Sequence, residues 1–174
     1  AGDASRRTSA DVSGRTSPAA RPSRRSVPIR TRTSRRTGAP TPANMRQIAT
    51  LTRCFEADLG ASLNLDGDRV GFVTGEGVAL SEEYSLPLVA APRLRRRPGS
   101  VVTSQSTSGM VEALARAHGQ RVVRGPVGES QIVDLGLAEG AVLAGEGSGG
   151  VAVLPHGVAY DGLLSLGFVL EELD

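Results

Sequence analysis

One stretch near the middle of the chain, Asn64-Leu65-Asp66-Gly67-Asp68-Arg69, carries oxygen-bearing side chains at every second position and ends on an arginine. Oxygens so spaced in a turn can converge on one hard cation. Magnesium takes such ligands, keeps several waters and shares its remaining positions with phosphate. The Arg69 guanidinium adds a planar fork of donors suited to a phosphate group. A polar hairpin turn with no ligand has the same composition, and spacing alone does not separate the two. A second stretch, Gly145-Glu146-Gly147-Ser148-Gly149-Gly150, satisfies G-x-G-x-x-G. A dinucleotide fingerprint follows a strand and opens a helix. Here Val151-Ala152-Val153-Leu154 follows and reads as a strand, which argues against a nucleotide. Glu146 and Ser148, held between Gly145 and Gly147 and the glycines beyond, suit hydrogen bonds to sugar hydroxyls; a flexible hairpin is the alternative. In a third stretch, Pro126-Val127-Gly128-Glu129, backbone amides at a helix start can face an anion. Glu129 there can equally complement the helix dipole.

These loops need elements to hold them. Thr41 and Pro42 predict a helix start, with Ile48, Leu51 and Phe55 at helical spacing. Residues 57–63 and 70–74 read as two strands around the polar turn 64–69. Residues 80–94 read as a helix interrupted near Pro87 and Pro92, and residues 93–99 as a polar linker and domain boundary. Beyond it, strands at 100–103, 121–124, 141–144 and 151–154 alternate with helices around Val111 to Ala115, at 130–139 and at 161–173. Ser106 or Ser108 is expected to cap the first of these helices and Gly119 to end it. Strands alternating with helices imply a layered α/β fold.

Charge divides the chain. Residues 1–37 hold ten arginines and two acids, a net of +8, while residues 38–174 hold ten arginines and sixteen acids, a net of −6. The first segment has hardly a large apolar side chain and is expected to be disordered, because it cannot bury enough surface to offset its ordering entropy. Arginine clusters can bind a nucleic-acid backbone electrostatically, but this one lacks interleaved aromatics and the remainder is acidic. An out-of-frame translation of GC-rich DNA would produce the same composition. No run of about 18 apolar residues is present, so no membrane span is expected. Cys54, the single cysteine, is read as a small buried hydrophobe in a reducing, cytoplasmic setting.

Taken in order, the motifs resemble the α-D-phosphohexomutase family of phosphoglucomutases, phosphomannomutases and phosphoglucosamine mutases. Asn64 to Arg69 is similar to its metal loop D-x-D-x-D-R, and Val101 to Ser108 to the strand and helix start of its third domain. Arg124 to Glu129 resembles its T-x-V-G-E segment, Gly145 to Gly150 its sugar loop G-E-x-S-G, and Asp161-Gly162 a D-G pair that begins a helix. The resemblance covers about residues 40–174. It implies two consecutive layered α/β units, an incomplete one at 40–96 and a second at 99–174.

It also implies an isomerase that moves phosphate between the C1 and C6 oxygens of a hexose through a phosphoserine and Mg2+. Asn64, Asp66 and Asp68 would hold the metal, Arg69 a phosphate, and the loop Gly145, Glu146, Gly147 and Ser148 the hexose phosphate. The sugar and the oligomeric state are not specified. Three departures stand out: Asn64 replaces the first metal aspartate, Pro126 stands where many members have lysine, and Gly150 where some have histidine. No T-A-S-H-N-P-like serine loop occurs in these 174 residues. The chain is therefore expected to be an inactive piece of a mutase, or a degenerate homologue with a binding role.

Overall fold

A computed structural model of the chain describes residues 38–154 and 156–173. The expectations for residues 1–37 lie outside them. The element order is helix α1 (Arg46–Cys54), a hairpin of β1 (Leu59–Leu63) and β2 (Val70–Thr74), and a short 3-10 turn (Glu82–Tyr84) leading into α2 (Ser85–Arg96). Then follow β3 (Val101–Ser104), α3 (Met110–Ala117), β4 (Val122–Gly125), α4 (Glu129–Ala138), β5 (Leu143–Gly145), β6 (Val151–Val153) and α5 (Gly162–Leu170). The layered α/β fold expected from the sequence is the one observed.

The second sheet has the order β4-β3-β5-β6, with β3 parallel to β4 and β5, and β6 antiparallel to β5. The strands β3, β5 and β6 are short runs buried on both faces, as a sheet between helices requires, while the edge strand β4 is only partly buried and exposes Arg124. The pleat sorts their side chains. Val101, Leu143, Val151 and Val153 enter one core with Leu86, Val89 and Leu94 of α2, Val111 of α3 and Val169 of α5. Val102, Ala144 and Ala152 enter the other, with Ile132 and Val133 of α4. The first core also takes in Val70 and Phe72 of β2, so the hairpin is packed onto the four-stranded unit through continuous apolar contact. At about 25 cal/mol per Å2 of apolar surface, such a shared core binds the two parts more firmly than any surface ion pair would.

Local details depart from the sequence expectations. α1 begins at Arg46, not at Pro42: the Thr41 carbonyl accepts from the amides of Asn44 (2.9 Å) and Met45 (3.1 Å), which closes a separate turn first. Neither Ser106 nor Ser108 caps α3. Gly109 occupies the cap position, Ser106 faces Ser104 across 3.1 Å, and the Ser108 amide donates to Glu83. Gly119 does follow the helix end, in the left-handed region at φ +67°. α2 runs unbroken past both prolines. Pro87 sits in its first turn, where the missing N–H had no helical partner to lose. Residues 93–96 belong to this helix and not to a linker, and Arg93 is buried, its guanidinium donating to the Leu154 carbonyl at 2.8 Å. Cys54 is exposed, contrary to the expected buried thiol, because it lies on the outer side of the last turn of α1.

Candidate functional site

The hairpin loop 64–69 and the loop 145–150 lie side by side. A β-bridge pairs Arg69 with Gly150, so the end of the first motif and the end of the second are neighbouring backbone. The other motifs converge on the same place. Asp161 caps α5, its carboxylate accepting from the Leu164 amide at 2.8 Å. The next residue, Gly162, donates to the Gly67 carbonyl at 2.9 Å. A Cβ on Gly162 would stand 2.6 Å from Leu63 Cδ2 and 2.7 Å from that carbonyl, so the helix start can seat on the hairpin loop only as glycine. This gives the D-G pair a physical reason that the sequence alone did not supply.

Asn64 organises its loop from within. Its side-chain oxygen accepts from the amides of Gly67 (3.0 Å) and Arg69 (3.2 Å), and its side-chain nitrogen donates to Asp68. Gly67 takes φ +78°, which closes the turn. The Asn64 oxygen therefore serves the turn, while Asp66 is exposed and Asp68 lies beside Arg69, with its Oδ2 3.6 Å from Arg69 Nε. Among the described residues no group of three or more His, Cys, Asp or Glu converges on a metal position. The donor set present is two carboxylates, Asp66 and Asp68. That fits magnesium, which binds through one or two carboxylates and completes its shell with water and phosphate.

The second loop is held far more firmly. Residues 145–147 and 149–150 are buried and Ser148 is partly exposed. Thr107, itself buried, accepts from the Gly147 amide at 3.0 Å. Thr103 Oγ1 lies 2.8 Å from both Thr107 Oγ1 and the Gly145 carbonyl, and its single proton serves one of them. Arg124 fixes the loop that bears Thr107: its guanidinium donates to the carbonyls of Ser104 and Thr107, both at 2.8 Å, and to Glu112. Glu83 accepts from the Ser108 amide at 3.0 Å, and its carboxylate occupies the space that a Cβ on Gly147 would need.

Glu146 is only 8% exposed. Its Oε1 accepts from the Gly128 amide at 3.1 Å, just before α4. The anion that the 126–129 segment faces is thus the chain's own carboxylate, placed where a helix dipole favours negative charge. Glu129 has a further role besides the dipole, accepting from the Tyr160 amide at 2.8 Å. Thr107 and Arg124 lie within the stretches 101–108 and 124–129 without a role assigned to them there, and Glu83 and Tyr160 lie outside every motif read from the sequence. The polar segment Thr103 to Ser108 was the only signal that could have pointed to the first of them.

Residues 82–174 match the family described as phosphoglucomutase/phosphomannomutase, alpha/beta/alpha domain III. A phosphoglucosamine mutase of Solidesulfovibrio magneticus is 33% identical over 123 residues, spanning 69% of this chain and 27% of that protein. A probable phosphoglucosamine mutase of Pyrococcus abyssi is 30% identical over 136 residues, spanning 78% and 30% respectively. Among solved structures, a putative phosphomannomutase from Thermus thermophilus superposes with a TM-score of 0.72 at 27% identity, over 78% of this chain and 32% of that one. The chain spans about a third or less of the length of these relatives. No helix among the described residues is long and apolar enough to cross a membrane.

Proposed function

Because the chain belongs to the phosphoglucomutase/phosphomannomutase family, we propose that it supplies the metal loop and the sugar loop of a phosphohexose mutase. The observation that supports this reading is the Arg69–Gly150 bridge, which joins the loop bearing Asp66 and Asp68 to the loop bearing Glu146 and Ser148. Asp66 and Asp68 would hold Mg2+, which when bound supplies positive charge to a phosphoryl group in transfer. Asn64 shapes the turn that presents those carboxylates. Arg69, its side chain partly exposed beside Asp68, offers a cation to the phosphate. Ser148 and the remaining lone pairs of Glu146 would hold sugar hydroxyls. The names of the relatives favour a glucosamine phosphate over a glucose or mannose phosphate.

The 174 residues contain no T-A-S-H-N-P-like serine loop, so this chain alone should bind hexose phosphate without isomerising it. Amide NMR of the 15N-labelled chain tests both halves of the reading. Glucosamine 6-phosphate with Mg2+ should move the amides of 64–69 and 145–150 together. Unmoved amides in both loops, or turnover by the purified chain, would overturn it. The turn-closing role of Asn64 supports a second reading, a non-catalytic homologue that binds sugar phosphate without metal. Equal binding of glucosamine 6-phosphate with and without Mg2+ would favour that one.

A further inference from the structure

Tyr160 lies against the sugar loop from the side of α4. It is 7% exposed, and its ring occupies the space beside Gly150: a Cβ there would stand 2.1 Å from Tyr160 Cδ2. Its amide is held by Glu129 and its ring is part of the core beneath α4. Its hydroxyl is buried and makes no hydrogen bond of ordinary length and angle among the described residues. A native fold rarely keeps such a group without a use for it. The Glu146 carboxylate lies near this hydroxyl, and the Glu129 carboxylate, whose Oε1 already serves the Tyr160 amide, is close enough to act on it electrostatically. Glu146 has one oxygen on the Gly128 amide, and a carboxylate offers about four acceptor positions.

We propose that Tyr160 is a positioning residue, whose hydroxyl donates to Glu146 and, with the Gly128 amide, fixes how the sugar loop presents that carboxylate. Burial, and then the Glu146 and Glu129 carboxylates, raise the hydroxyl's pKa far above the ordinary tyrosine value, with Arg69 opposing weakly. The phenol therefore stays a neutral donor. Gly150 completes the arrangement, since any side chain there displaces the ring.

The effect on ligand rests on the mutase reading above, but the latch itself does not, and one experiment separates them. The 15N-labelled chain, Tyr160→Phe and Gly150→Ala are compared without ligand and during titration with glucosamine 6-phosphate. Tyr160→Phe keeps the ring, so distant amides should stay in place while those of Gly128 and residues 146–150 shift and broaden. The dissociation constant should rise about tenfold, the usual effect of losing one hydrogen bond to a charged group. Gly150→Ala should disturb the same amides. Unmoved Gly128 and loop amides in Tyr160→Phe would overturn the proposal, even if the melting temperature fell, because Tyr160 would then be packing alone. If the unsubstituted chain binds no sugar phosphate while Tyr160→Phe still shifts those amides, the latch stands and the mutase reading fails.

Discussion

The two loops that meet at the Arg69–Gly150 bridge are built in opposite ways. The hairpin loop 64–69 is organised by one of its own side chains, Asn64, and leaves Leu65 and Asp66 in solvent. The loop 145–150 is organised from outside, by Thr107, Gly128, Glu83 and Tyr160, which come from four separate parts of the chain. The difference matches the ligands proposed for them. A hydrated cation adapts its own shell to two carboxylates and needs little prior order. A sugar is recognised through the directions of hydroxyl hydrogen bonds, which only a rigid frame can set in advance.

This contrast can be broken at its rigid side first. Thr107→Val removes the acceptor for the Gly147 amide and leaves that buried N–H without a partner, which should lower stability by about 2–3 kcal/mol in a denaturant titration. A loss no larger than that of a surface substitution would mean the loop 145–150 does not depend on Thr107.

Alkali probes the same side through Tyr160. In the unfolded chain a tyrosine loses its proton near pH 10, while burial keeps the folded one protonated well above that. The unfolded state therefore binds fewer protons, and stability must fall as pH rises from about 10 toward the raised folded value, at no more than about 1.4 kcal/mol per pH unit. Absorbance of tyrosinate in a Tyr84→Phe background should appear together with unfolding. Tyrosinate formed in the intact fold would contradict the burial argument.

The smallest effect belongs to the self-organised loop. Asn64→Ala should lower stability by about 1 kcal/mol or less, since it removes the acceptor of two partly exposed amides and leaves the sheet intact. Asn64→Asp sharpens the comparison: it adds a third negative charge and loses the donor to Asp68, so it should raise the melting temperature in Mg2+ more than the unsubstituted chain does. An identical Mg2+ response in both proteins would remove the hairpin loop as the metal site.

Much of this protein is determined by local sequence. The alternation of short Val- and Ala-rich runs with helical spacing dictates a layered α/β fold, because the two periods bury different faces. The strand after Gly150 excludes a dinucleotide loop, and it is present as β6. Tertiary structure decided what no spacing shows. Asn64 closes a turn because two amides five residues apart or fewer happen to point at its oxygen. Glu146 is largely buried because one of its oxygens accepts from the Gly128 amide at the α4 start. Residues 93–96 continue a helix, and Arg93 there donates to the Leu154 carbonyl 61 positions away, a contact that exists only in the assembled fold. Tyr160 reads in sequence as a lone aromatic before a helix; only the packing of its ring on Gly150 joins it to the site.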